Sequence, residues 1–130
     1  MIDHLSIGCT DYEKSRLFYD AVMATIGCQR LHTYPGEAAG YGAENKAIFW
    51  FAKPLDERKP VVACNGSHIG FAAPSQAAVQ AFYAAALQHG GTDDGPPGLR
   101  PQYGFGYYAA FMRDPDGHKI EIVFNPQDVS

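Results

Sequence analysis

One string of residues occurs twice in this 130-residue chain, at a constant offset of 64 positions. His4 and His68, Phe18 and Phe82, Tyr19 and Tyr83, Ala21 and Ala85, and Gly27 and Gly91 are all related in this way. A His in a strand, a Phe-Tyr pair in a helix and a glycine stop, repeated in one order, mark a duplicated module. A duplication narrows the choice of fold at once. Each copy must be one supersecondary unit whose apolar face is covered with the help of the other.

The local pattern says what that unit is. Residues 2–8, IDHLSIG, alternate as a strand does. Thr10 or Asp11 can cap a following helix, with Glu13 at capping-box spacing from Thr10. In that helix Leu17, Phe18, Ala21, Val22 and Ile26 form an apolar stripe, and Gly27 stops it. Three strands are predicted next, Gln29 to Tyr34, Ala38 to Ala43 and Lys46 to Lys53, divided by the turn-forming Pro35-Gly36 and Glu44-Asn45. Residues 54–66 read as a linker. The plan then restarts with a strand at Ser67 to Ala73 and a helix from Ser75 to about His89. A Gly/Pro-rich loop follows over residues 93–106. Tyr107 to Arg113 and His118 to Phe124 form a hairpin about Asp114-Pro115-Asp116-Gly117, a turn to which no chemistry is assigned. The expected fold is α+β. Two tandem βαβββ modules, about 1–58 and about 66–126 within a single domain of 1–130, form a curved, cup-like mixed sheet with helices outside.

Strand alternation places the polar side chains. His4, Ser6 and Gly8 share one face of the first strand, with Leu5 and Ile7 on the other. His68 and Gly70 are opposed to Ile69 and Phe71, and Glu121 stands between Ile120 and Ile122. The aliphatic faces pack on the helices, so His4, His68 and Glu121 point into the cup. A polar group alone in a low-dielectric cavity is costly unless it is paired. Two imidazoles and a carboxylate that converge form a 2-His-1-carboxylate set with open positions on a divalent metal ion: Fe, Mn, Ni, Co or Zn. The structural alternative for Glu121 is an ion pair with Arg100 or Arg113. His32 and His89 read as surface residues, and His118 simply follows the turn.

The segments HLSIGCTDYEKSRLFYDAV, GSHIGFAA and FMRDPDGHKIEIVF resemble the vicinal-oxygen-chelate superfamily. That group takes in glyoxalase I, extradiol dioxygenases, fosfomycin-resistance enzymes, methylmalonyl-CoA epimerase and bleomycin-binding proteins. The resemblance covers nearly the whole chain. It implies metal ligation by His4, His68 and Glu121, with Glu121 on the family's last ligand position. It also marks a departure. Glyoxalase I would carry Glu or Gln in the fourth strand, where matching AIFWF to KIEIV puts Trp50. Three ligands are more like the extradiol dioxygenases, yet Phe111 stands where their tyrosine would be expected, with Tyr107 on the same face and Tyr103 in the preceding loop. Trp50 and Phe111, with Phe49 or Phe51, can line an aromatic pocket. Arg100 can receive a substrate carboxylate.

Two functions follow as expectations. The first is a metal-dependent lyase, isomerase or ring-cleaving dioxygenase, with Glu121 and Tyr107 in the reaction and Tyr107 as proton donor to a small organic substrate. The second is a metal-free, bleomycin-resistance-like binding protein. The resemblance implies a homodimer, in which His4 of one chain can share a metal with His68 of the other. Composition sets the remaining limits. With 46% hydrophobic and 18% charged residues the chain is globular, and a net charge of −4 with scattered basic residues argues against nucleic acid. No apolar run approaches the roughly 20 residues that span a bilayer. Cys9, Cys28 and Cys64, odd in number and without CxxC spacing, fit a reducing cytoplasm better than a disulfide framework.

Overall fold

The computed structural model describes residues 1–128; the last two residues of the expected 1–130 domain lie outside them. Strand β1 (Leu5–Gly8) leads into helix α1 (Tyr12–Ala24), and β2 (Gln29–Tyr34), β3 (Ala38–Ala43) and β4 (Lys46–Ala52) complete the first module. The second module holds β5 (Ile69–Ala72), α2 (Gln76–Gln88), β6 (Thr92–Asp93), β7 (Gly98–Leu99), β8 (Tyr108–Arg113) and β9 (Lys119–Phe124). The two sheets share one plan. Their orders are β1-β4-β3-β2 and β5-β9-β8-β6, with the first pair in each parallel and the rest antiparallel. The departure lies in residues 93–106. Where the first module has the six-residue β2, the second has two short strands, β6 and β7, which both pair with β8. The prolines between them cannot donate to a ladder, which keeps the strands short.

Asp11 caps α1 through its side chain, 3.1 Å from Lys14 N, while Glu13 turns to Arg16 instead of closing a capping box. Ser75 caps α2 in the same way, 3.1 Å from Ala78 N. Helix α1 buries Phe18, Tyr19, Val22 and Met23. Leu17, counted in the apolar stripe, is 52% exposed, because the helix meets its sheet along the 18-19-22-23 line. From the sheets come Tyr41, Phe49, Phe51, Met112, Ile120 and Ile122, and from α2 Val79, Phe82 and Ala86, all in one core. The two helices pack on each other over a common apolar layer. Each sheet turns its other face away from them. The mixed sheets are open and uncurled, and among the described residues no strand of one pairs with a strand of the other. Cys9 is buried and Cys28 half-buried, whereas Cys64 is exposed, and all three are free thiols.

The modules are fastened where β8 turns into β9. Tyr19 in α1 donates to Asp114 Oδ2 at 2.6 Å, and Asp114 is 4% exposed. Its other oxygen accepts from the backbone N–H groups of Asp116 and His118. Thr10 N reaches Asp116 Oδ1 at 3.0 Å, and His118 Nε2 lies 2.8 Å from Gly8 O. Burial pushes the Asp114 carboxyl above its ordinary range, against the pull of these donors. Tyr19→Phe removes one donor from a buried acceptor. The variant is expected to lose about 1–3 kcal/mol in urea unfolding while keeping its far-ultraviolet circular dichroism.

Candidate functional site

The open face of the second sheet carries a compact polar group. Glu121 in β9 lies opposite Gly70 in β5 and Phe111 in β8, and alternation puts all three on the face away from Ile120 and Ile122. His68 just precedes β5, and its Nε2 lies 3.0 Å from Glu121 Oε1. Tyr107, just before β8, donates its hydroxyl proton to Glu121 Oε2. The carboxylate is 5% exposed, while the His68 side chain is 44% exposed. Desolvation, and then the neighbouring carboxylate, raise the Tyr107 hydroxyl above the usual phenol range. The proton therefore stays on the phenol at neutral pH. His68, Tyr103, Tyr107, Phe111 and Glu121 line an open cavity of about 250 Å³. Its walls are largely aromatic: His68 meets Phe111 edge-on at 6.2 Å, and Tyr103 meets Tyr107 at 5.4 Å.

Neither arginine neutralises Glu121. Arg113 holds Asp94 at 3.0 Å and Gly117 O at 3.2 Å, and Arg100 donates to Pro96 O at 2.7 Å. Arg100 stands instead over the Phe111 ring, 5.6 Å from its centre, and Lys119 lies 5.0 Å from the same ring. The ion-pair alternative for Glu121 is thus not realised among the described residues. The donor set fits a divalent ion in part. A separation of 3.0 Å between His68 Nε2 and Glu121 Oε1 suits two donors on one ion, whose bonds each run about 2.0–2.2 Å.

The third expected ligand is elsewhere. His4 is exposed and bonds Asp3 Oδ1 through Nδ1 at 2.6 Å, and Asp3 also pairs with Lys46 at 2.8 Å. It lines a separate cavity of about 350 Å³ on the first sheet, with Ser6, His32, Lys46 and Trp50 among the walls. A single chain brings His68 and Glu121 together and leaves His4 apart. Among the described residues no group of three His, Cys, Asp or Glu side chains is placed to hold a metal.

Trp50 occupies the position in the first sheet that Glu121 occupies in the second. Ser6 pairs with Trp50 as Gly70 pairs with Glu121, and residues 6 and 70 are related by the 64-residue offset. The indole lies across β3 on Gly40, where a Cβ would stand 2.6 Å from the ring, and stacks on His32 with centroids 5.5 Å apart and planes 10° off parallel. Tyr34 stacks on it at 6.3 Å. Phe49 and Phe51 are in the core instead and do not reach this face. His32 is exposed, as a surface residue should be, and it is also part of the aromatic face; that second role lies in the row His32–Gly40–Trp50, which only the strand register reveals. Gly40→Ala forces the indole off β3. Because Trp50 is the sole tryptophan, the intrinsic fluorescence of this variant is expected to shift to longer wavelength, with the fold kept by circular dichroism.

A family model described as the Glyoxalase/Bleomycin resistance protein/Dioxygenase superfamily matches residues 1–122. Among solved structures, a glyoxalase/bleomycin resistance protein from Albidiferax ferrireducens is 35% identical, with a TM-score of 0.82 over 95% of this chain and 98% of that one. A glyoxalase-related enzyme from Fulvimarina pelagi is 23% identical, with a TM-score of 0.74 over 97% and 88% of the two chains. A lactoylglutathione lyase from Agrobacterium tumefaciens is 17% identical, with a TM-score of 0.67 over 100% and 97%. These last two show the fold alone. No curated protein matches the chain.

Proposed function

The chain belongs to the glyoxalase/bleomycin resistance protein/dioxygenase superfamily, and from that premise we propose that it is a divalent-metal-dependent enzyme acting on a small organic substrate with two adjacent oxygens. One observation carries this reading. Glu121 is a buried carboxylate with an imidazole on one oxygen, a phenol on the other and, among the described residues, no Lys or Arg side chain paired with it. A buried charge so placed costs several kcal/mol unless a cation joins it. His68 and Glu121 of one subunit, with His4 of the partner subunit, would hold the metal, because a single chain leaves His4 on the other open sheet. The assembly is accordingly a homodimer in which two open faces close on each other. Such an ion supplies Lewis acidity to a pair of neighbouring oxygens and acidifies the substrate that carries them.

The chain's own groups do the rest. Tyr107 holds a proton at its hydroxyl and is the proton donor nearest Glu121. Glu121 fixes both the phenol and the His68 ring, so neither has to reorganise when substrate enters. Phe111 and Tyr103 give the cavity aromatic walls, and the Trp50–His32 face would cover its open side from the other subunit. Lyase, isomerase and dioxygenase chemistry all use these roles. With no helix among the described residues long and apolar enough to cross a membrane, and three free thiols, the proposed location is the cytoplasm.

Metal content by mass spectrometry tests the site. The wild type is expected to hold near-stoichiometric metal, and His4→Ala, His68→Ala and Glu121→Ala to lose it. Mixing His4→Ala with His68→Ala under subunit exchange is expected to restore metal to about a quarter of the sites, those where both intact ligands meet across the interface. Absence of metal after reconstitution with iron, manganese, nickel, cobalt and zinc sinks this reading. The stack of His32, Trp50 and Tyr34 favours the second one, a metal-free protein that captures a planar ligand.

A further inference from the structure

Three places in the chain set Asn or Asp directly before a glycine: Asn65-Gly66, Asp94-Gly95 and Asp116-Gly117. Such a side chain can close a five-membered ring on the next backbone nitrogen, and glycine has no side chain to obstruct that attack. The attacking nitrogen must be free, and the fold separates the three on this point. Gly95 N donates to Asp93 Oδ1 and Gly117 N to Asp114 O, both at 2.9 Å. Gly66 N has no acceptor among the described residues. Its surroundings are open as well: a Cβ built on Gly66 would meet nothing within 4 Å, whereas one on Gly95 would stand 3.3 Å from Phe111. Asn65 and Gly66 are both exposed. They form the tip of a turn closed by Ser67 N on Cys64 O at 3.3 Å, with Gly66 at φ +95°. Between Ala52, the end of β4, and Ile69, the start of β5, no strand pairing holds this segment among the described residues.

The position of this turn gives the chemistry a consequence. Asn65 and Gly66 wall a cavity of about 510 Å³ together with His68, Arg113 and Lys119. Arg113 and Lys119 share one oxygen of Asp94, at 3.0 and 3.5 Å, so two cations have a single carboxylate between them. We propose that Asn65 is a site of self-modification whose conversion displaces His68. Gly66 N attacks Asn65 Cγ, the Cγ–Nδ2 bond breaks, and ammonia leaves with the proton of the attacking amide. Water then opens the succinimide at either carbonyl. One opening leaves an aspartate at position 65; the other routes the main chain through Cβ as isoaspartate and lengthens it by one carbon. Either product sets a new carboxylate beside Arg113 and Lys119, and a charge-assisted bond there draws the turn toward them. The isoaspartyl product also adds length three residues before His68. The first residue that a ladder fixes is Ile69, opposite Ile120, so the displacement falls on Ser67 and His68. The inference uses the position of His68 and does not depend on the metal.

Mass spectrometry of the purified protein, kept at neutral pH and physiological temperature, tests the first step. The chain is expected to gain about 1 Da, or about 3 Da in heavy-oxygen water, with peptide mapping placing the gain on Asn65. Asn45, followed by Lys46, and Asn125, followed by a proline whose nitrogen carries no hydrogen, serve as internal references and stay unchanged. The gain is expected to quicken from pH about 6 to about 8, since the attacking nitrogen must give up its proton, and to be absent in Asn65→Ser. If a synthetic peptide of residues 61–68 converts while Asn65 of the folded chain does not, the proposal fails. Fresh and converted protein, both chelator-treated, are then compared by NMR of their imidazole protons, with His68→Ala assigning the His68 signal. That signal is expected to move on conversion while the signal of His89, at the end of α2, stays in place. An unmoved His68 signal in fully converted protein overturns the consequence drawn for the site. Metal uptake by unconverted protein, measured separately, decides the enzyme reading, so the two can fail independently.

Discussion

The relation between the two modules depends on one buried carboxylate. Asp114 lies in the β8–β9 turn, out of reach of solvent, and accepts from Tyr19 on one oxygen and from two backbone N–H groups on the other. Its backbone bonds shape the turn, and its bond to Tyr19 ties that turn to α1 of the other module. Thr10 and Gly8 then meet Asp116 and His118 as consequences of the same placement. A carboxylate in this position is costly unless every lone pair is used, so the geometry admits little slack. With α1 fixed to the β8–β9 turn, and α1 packed on α2, both sheets must turn their open faces away from the shared core. The positions of Trp50 on one face and Glu121 on the other are thereby set by a residue that touches neither.

Much of this architecture was legible in the sequence because the strands carry a period of two. The aliphatics at 5 and 7, at 69 and 71, and at 120 and 122 named the buried face, and His4, His68 and Glu121 were left on the other. The capping residue Ser75 and the bounds of β2 and β3 followed from turn and cap chemistry. Less visible were the features that depend on which elements meet. Asp114 reads as a turn former from its neighbours, and only its distance to Tyr19, 95 residues earlier, gives it a fastening role. Leu17 fits the helical period but falls off the line of contact. The separation of His4 from His68 is of the same kind. Identical positions in two copies say that the residues are equivalent, not that they are adjacent. In an open pair of sheets, equivalent positions on the two copies need not come together.

The duplication also explains why the two open faces have come to differ. At equivalent register positions the first sheet has Trp50 and the second Glu121; one presents an aromatic plane, the other a carboxylate. Gly40 gives the indole room to lie flat, and Gly70 adds no side chain above Glu121. Had both sheets kept an acid, both open faces would have carried a carboxylate at the same register position. With Trp50 in one of those places, the charge falls and an apolar plane is gained.

The charges on the second sheet are held apart from one another. Glu121 and the cations near Phe111 lie on one face, yet they do not pair: Tyr107 and His68 occupy the carboxylate, and Arg100 is held away by Pro96 O and the glycines of its loop. Charges of opposite sign attract strongly when they are removed from water, so a face that keeps them apart must hold each by other bonds. Kept separate, Glu121 stays with its imidazole and phenol, and the two cations stay against the Phe111 ring. The hydrogen bond from Tyr107 holds the carboxylate, and the loop around Gly95 and Gly98 holds the guanidinium.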